Sequence, residues 1–169
     1  RAYGMRTGLY TSPHLEHVNE RIAIDGQQLS DDDFVDTWDQ IKDLVAMVDM
    51  KMEELDKPKM SFFEVLTAMA IWKFADAPVD VAIVEVGMGG RWDATNVLDA
   101  DAAIIGPIDM DHMAWLGNTV EQIASEKVGI IKPGCTAVIG RQPHEEAVMP
   151  IIEEAAAENH ANLVRDGIE

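Results

Sequence analysis

The stretch that most constrains this chain is Val81 to Asn96, VAIVEVGMGGRWDATN. It opens on a continuous apolar run rather than an alternating one, which predicts a strand buried on both faces, as in the parallel sheet of an α/β domain. Glu85 breaks that run, and a carboxylate in such a place is costly unless something binds it. Gly87-Met88-Gly89-Gly90 follows, a loop nearly free of side chains, so the backbone there is expected to turn sharply and come close to a ligand. Arg91 and Asp93 then add charge. In open α/β sheets ligands collect beyond the carboxyl ends of the strands, which makes this strand end the first place to look for a site.

With 169 residues the chain has the size of one domain and can bury a core. Its formal net charge of -18 excludes nucleic acid and anionic membrane as natural partners, because a polyanion would be repelled. The single cysteine, Cys135, rules out an internal disulfide or a cysteine-rich zinc site, reads as a small buried residue, and fits a reducing cytoplasm. No apolar run reaches the roughly 20 residues needed to cross a bilayer, and no signal-peptide plan is present at the start. The chain begins without Met and in mid-pattern, so it reads as a segment of something longer.

Residues 5–10, MRTGLY, predict a short strand, and the proline of Thr11-Ser12-Pro13-His14-Leu15 puts Ser12 and His14 on a loop just beyond it. Asn19 to Leu29 carries two short runs around Asp25-Gly26, the dipeptide of a tight turn, and predicts a small projecting β-hairpin. Ser30 starts a helix with Asp31, Asp32 and Asp33 in its first turn and an apolar stripe of Phe34, Trp38, Ile41, Leu44, Val45 and Val48. The aspartates read as capping rather than as a metal site. A second helix begins at Ser61 with Glu64 as its capping-box partner; its body is apolar nearly all round, so it is expected to pack on the sheet, with Phe62 and Phe63 at the end near the loops.

Ala102 to Ile108 predicts another apolar strand, followed by Asp109-Met110-Asp111-His112. Two successive strands would thus bring Glu85 and then Asp109, Asp111 and His112 to one sheet edge. Thr119 with Gln122 caps a further helix that stops near Gly129; a strand at 136–139, a helix at 143–159 and a strand at 161–164 complete the alternation. The fold class is therefore α/β, a doubly wound, mainly parallel sheet flanked by helices, with a small β-hairpin.

For the site, Glu85 alone is compatible with a salt bridge to Arg91. Together with the Asp-x-Asp-His cluster it points to a magnesium-type site, since hard divalent ions take oxygen ligands and keep several waters. His112 is less typical of magnesium, and the glycine loop is not a phosphate loop of the G-x-x-x-x-G-K-[ST] kind, which occurs nowhere in the chain.

The strings TSPHL at Thr11 to Leu15, Glu20-Arg21, Phe63-Glu64, EVGMGGRWDATN at Glu85 to Asn96, Asp111-His112, Leu116-Gly117-x-Thr119 and EKVGIIKPG at Glu126 to Gly134 resemble, in order and spacing, the central domain of the folylpolyglutamate and dihydrofolate synthases of the Mur ligase superfamily. The resemblance implies that residues 1–169 are a partial central (ATPase) domain, with the first strand, the phosphate loop and the C-terminal domain lying outside the chain. It implies an ATP-dependent ligase that adds L-glutamate to dihydropteroate or reduced folates, using Mg²⁺ and ATP. By the same resemblance Glu85 and His112 match metal-binding and catalytic positions, Ser12 a further metal position, Lys127 a carbamate-bearing lysine, and Phe63, Asp93 and Ala94 pterin contacts. No residue here matches the phosphate loop, so the segment alone is expected to be inactive, and without the first strand it is expected to leave strand edges unpaired and self-associate, whereas its parent is expected to be monomeric and cytoplasmic. Met88 and Trp92 depart from the leucines common in the family. Two other readings are a Mur-type peptidoglycan ligase and a non-catalytic binding domain; the TSPHL and GGRWDATN strings favour the folate branch.

Overall fold

Thr7–Tyr10 forms the first strand, β1, in the computed structural model, which describes residues 3–165. It is flanked on one side by Ile22–Ile24 (β2), antiparallel, and on the other by Val81–Val84 (β4), parallel; β2 in turn pairs antiparallel with Gln27–Gln28 (β3), so the order is β3-β2-β1-β4. The predicted hairpin is real, with Asp25 and Gly26 both at positive φ, 53° and 74°, as a two-residue turn of this twist requires. It does not project, because β2 is hydrogen-bonded to β1 and joins the sheet. Its first residues, Val18–Arg21, form a 3-10 helix instead of a strand.

Two helices cover this sheet's core. Helix α1 spans Asp31–Glu54 and is capped by the Ser30 side chain, which accepts the Asp33 N–H, as the sequence predicts. Its buried line is narrower than the expected stripe: Thr37, Ile41 and Val45 are buried, whereas Leu44, Val48 and Trp38 are exposed. The i, i+4 row is the part that is fully buried, with Phe34 partly buried against the same core, and Thr37 can join the row because its hydroxyl donates to the Asp33 carbonyl. Helix α2, Phe62–Asp76, has the expected Ser61/Glu64 capping box and buries Leu66, Met69, Ala70 and Phe74 in one cluster with Tyr10, Ile22 and Ile41. Gly8 makes the close approach possible, since a Cβ there would stand 2.7 Å from the Phe74 ring.

The chain divides into two compact units, the second starting at Met88. The second unit holds a wholly parallel sheet of Ala102–Ile105 (β5), Thr136–Ile139 (β6) and Asn162–Arg165 (β7), in the order β5-β6-β7. Its helices are Met113–Leu116 (α3), Val120–Lys127 (α4) and Glu145–Glu158 (α5). Ile108, Ile123, Ala137, Ile139, Val148, Ile152 and Cys135 form its core. Gln142 is buried and ties the loops after β5 and β6 together: it accepts the Ile108 N–H and donates to the Gly106 and Gly140 carbonyls. Among the described residues no helix is long and apolar enough to cross a membrane.

Two expectations change here. β4 and β5 lie in different sheets, so Glu85 and the acids after β5 do not end neighbouring strands; β4 has β1 as its partner and β5 has β6. Nor is β4 buried on both faces. It is an edge strand with Ile83 49% exposed, and Glu85 is exposed as well, so its charge is hydrated rather than stranded.

The glycine loop also packs against a neighbour that the sequence does not reveal. A Cβ on Gly90 would lie 2.8 Å from the Glu126 carbonyl oxygen and 3.0 Å from that of Lys127, and one on Gly129 would lie 2.6 Å from Arg91 Cα. These glycines let the loop press against the C-terminal end of α4, where Arg91 N–H donates to the Glu126 carbonyl at 2.9 Å. Backbone cannot yield as a side chain can, so Gly90→Ala is expected to destabilise the protein by about 2 kcal/mol and lower Tm by about 5 °C. Thermal denaturation followed by circular dichroism checks this; an unchanged Tm refutes the packing role.

Candidate functional site

The parallel pairing of β1 with β4 brings two chain segments together just past the strand ends. Glu85 N–H donates to the Tyr10 carbonyl at 2.9 Å, and its carboxylate Oε2 accepts the Ser12 N–H at 2.7 Å. Two residues of the sequence-derived site, Ser12 and Glu85, are thereby joined. Phe63 stands beside them: its ring lies 5.9 Å from that of Tyr10, and a Cβ on Gly87 would come within 2.5 Å of it. Gly87 is therefore the glycine of the loop that makes room for the side chain of a candidate site residue, whereas Gly90 abuts the backbone of another, Lys127.

The loop carrying Ser12 is held by its own side chains. Thr11 N–H donates to the Arg21 carbonyl at 3.0 Å. Glu20 gathers the N–H groups of Leu15, Glu16 and His17 at 2.8, 2.9 and 2.7 Å. Those three amides, His17's foremost, hold the Glu20 carboxyl down to about 2 from 4.5. Arg21 is 9% exposed; its Nε donates to His14 Nδ1 at 2.9 Å, and its guanidinium carbon lies 5.4 Å from the centre of the Phe62 ring. Sequence reasoning gave Glu20 and Arg21 no role. A Glu three residues after the residue that starts a short helix is the signal for the first; nothing local signals the second.

In the second unit, Asp93 caps a 3-10 turn, Ala94–Val97. Its Oδ1 accepts the Thr95 N–H and hydroxyl at 3.0 and 2.6 Å, and Oδ2 accepts the Met88 N–H at 2.9 Å. An ionised carboxylate has about four acceptor positions, so one remains on Oδ2. Arg91 is used inside this unit, its Nη2 donating to the Ser125 carbonyl at 3.2 Å.

His112 opens α3 in the left-handed conformation, with φ 48°, and its Nε2 lies 3.4 Å from Asp111 Oδ2. Asp109 pairs instead with His144 Nε2 at 3.1 Å and accepts the Met110 N–H, contacts that lower its carboxyl below the usual range. The Asp-x-Asp-His run is thus split between local partners, and among the described residues no group of three or more His, Cys, Asp or Glu side chains is placed to hold a metal ion. Lys127 ends α4, half-buried, and its ammonium makes no ion pair or hydrogen bond among the described residues, with Glu121 and Glu126 included.

No protein-family model matches the chain. It is 49% identical over 173 residues to the dihydrofolate synthase/folylpolyglutamate synthase of Mycobacterium tuberculosis, a match covering 97% of this chain and 35% of that protein. The Escherichia coli protein of the same name is 38% identical over 169 residues, covering 99% of this chain and 36% of its own. The chain is a homologue of the folylpolyglutamate/dihydrofolate synthases. A solved structure of the Mycobacterium tuberculosis folylpolyglutamate synthase complexed with ADP and AMPPCP superposes with a TM-score of 0.91 over 98% of this chain and 38% of that one. A solved FPGS–AMPPCP–folate complex gives 0.87 at 33% identity, over 97% of this chain and 39% of that one. The α/β architecture, a parallel sheet flanked by helices, is that of these synthases. The chain spans about a third of the length of the synthases it matches.

In this synthase homologue the Ser12–Glu85 end of the first sheet fits a hard cation in its chemistry. Glu85 Oε2 is taken by an amide, whereas Oε1 and the Ser12 hydroxyl have no partner among the described residues and are oxygen donors. The loop that presents Ser12 rests on Glu20, which sets its pH range. Because the folded carboxyl titrates near 2 rather than 4.5, the stabilisation is complete above pH 4.5 and fades as pH falls toward 2. Glu20→Gln is expected to lower hydrogen-exchange protection of the Leu15, Glu16 and His17 amides at pH 7. The gap from the parent should narrow as both proteins are taken from pH 4.5 toward 2; a gap that does not change with pH counts against the charge of Glu20.

Proposed function

We propose that this chain supplies the central-domain part of an ATP-dependent ligase that joins L-glutamate to dihydropteroate, to reduced folates or to both. The observation that carries the reading is the Ser12 N–H bonded to Glu85 Oε2, because it unites the TSPHL and EVGMGG strings in a chain 49% identical to a synthase of this activity. Residues 1–169 are read as one part of that ligase, with the phosphate loop supplied by another part.

In the reaction the carboxylate of the pterin acid attacks the γ-phosphorus of ATP, the bond to ADP breaks, and an acyl phosphate results. The amine of glutamate then attacks the acyl carbon, phosphate leaves, and the amine proton is lost to solvent or base. Mg²⁺, when bound, neutralises charge on the phosphoryl oxygens. We assign magnesium binding to Glu85 and Ser12 in the first unit and to His112 in the second. We likewise assign pterin contacts to Phe63 in the first unit, by its aromatic face, and to Asp93 and Ala94 in the second, where Asp93 keeps one acceptor position that suits an amino-pyrimidine edge. Glu85 is held ready by the Ser12 amide, which fixes one oxygen and leaves the other for the ion.

Glu85→Gln keeps the volume and removes the charge. In the full-length protein it is expected to cut kcat for glutamate ligation at least about 100-fold while leaving Tm within about 2 °C. Near-normal turnover at saturating magnesium removes Glu85 from the mechanism.

Lys127 is assigned a carbamate, formed when CO₂ adds to the neutral amine and a proton is lost. A plain ammonium near magnesium would repel the ion, whereas a carbamate carries negative charge. The reading is supported by a half-buried lysine that neither Glu121 nor Glu126 neutralises. Lys127→Ala is expected to abolish turnover, and added acetate or propionate to restore part of it. Full activity in the variant would make Lys127 an ordinary surface residue.

A further inference from the structure

Arg21 is the only arginine among the described residues that is buried, and a buried guanidinium is ordinarily matched by a carboxylate. Here none matches it: no ion pair includes Arg21 among the described residues, and its neighbour Glu20 turns away to the amides of Leu15, Glu16 and His17. Glu85, at the next strand end, accepts from Ser12. Among the described residues the cation is compensated by His14 Nδ1 on its Nε and by the face of Phe62.

The unused donors have a definite geometry. With Nε committed to His14, the terminal nitrogens Nη1 and Nη2 remain, and neither has a protein acceptor among the described residues. Neither is sealed from solvent, since among the described residues the one enclosed side-chain polar atom without a partner is Asn96 Oδ1. Two parallel N–H groups at the end of a guanidinium match the two oxygens of a carboxylate. Phe62, which holds the cation in place, is itself 61% exposed and leaves ring surface for an aryl group. His14 reinforces this orientation: an arginine N–H only donates, so Nδ1 accepts from it.

We propose that Arg21, laid over Phe62 and oriented by His14, is the residue that binds the carboxylate of the aromatic acid substrate, the group that receives the phosphoryl. This rests on the folate-ligase reading above and adds to it a residue that selects an acid over a neutral pterin. The competing account makes Arg21 a brace for the loop alone.

The two separate on charge. In the full-length protein, dissociation constants are measured by fluorescence titration for pteroate and for its primary amide, with wild type, Arg21→Met and Arg21→Lys. Wild type is expected to favour pteroate. Arg21→Met should weaken pteroate about 30-fold and the amide less than about 3-fold, with Arg21→Lys between the two because it keeps charge without the fork. Equal losses for acid and amide, or a loss of ATP affinity with pteroate affinity kept, would overturn the assignment while leaving the folate reading in place. Should Arg21→Met fail to fold, the same comparison in Arg21→Lys decides, an equal loss of both ligands overturning the proposal. Wild type that binds neither pteroate nor its amide would overturn the assignment, and wild type that in addition binds no reduced folate would overturn the folate-ligase reading as well.

Discussion

Much of the first unit follows from the register of β1 against β4. Pairing Thr7 with Val81 and Tyr10 with Val84 places residues 11 and 85 one step beyond the last pair. Glu85 N–H continues the ladder onto the Tyr10 carbonyl, and its carboxylate then reaches the next free amide of the opposite strand, that of Ser12. A slip of one residue would turn the side chain of Glu85 to the other face and lose this contact. The register is itself fixed by the core: Tyr10 is fully enclosed, with its hydroxyl 3.1 Å from Thr67 Oγ1, and Gly8 meets the Phe74 ring.

Loop 11–21 shows how a segment with few apolar contacts can still be held. Its amides are collected by one carboxylate, Glu20, and its other end is clasped by Arg21 through the Thr11 amide and His14. Charge-assisted hydrogen bonds replace packing here. The second unit uses the opposite device. Gly90 and Gly129 remove side chains so that backbones can touch, Gly89 makes room for the Leu116 side chain, and Asp93 ties the loop by accepting from three donors. One loop is ordered by what it adds and the other by what it omits.

The features legible in the sequence were those whose partners lie within a few residues. Asp25-Gly26 implied a tight turn, Ser30 and Ser61 implied helix starts, and each stands as expected because the caps and turn are local hydrogen bonds. The width of the α1 stripe was not legible, since periodicity marks an apolar face but not how much of it a neighbour covers; Leu44 and Val48 stayed exposed. What the glycines pack against was not legible for the same reason. Their freedom from side chains was evident, but α4, which they approach, lies more than thirty residues along the chain. Arg21 belongs to this class: its isolation from every carboxylate depends on where Glu20 and Glu85 turn, and no spacing rule contains that.

The sequence by itself determined the α/β class, the order of the strands and of the helices other than α3, the capped helix starts and, through the strings around Ser12, Glu85, His112 and Lys127, the kinship with the folylpolyglutamate/dihydrofolate synthases, because each is written in neighbouring residues or in residue types kept in order. Only the tertiary structure decided that β4 and β5 belong to separate sheets, that Glu85 is exposed and held by the Ser12 amide, and that Arg21 is a buried cation with open donors. Those outcomes depend on strand register and on the competition among distant donors and acceptors, which is settled when the backbone closes and not before.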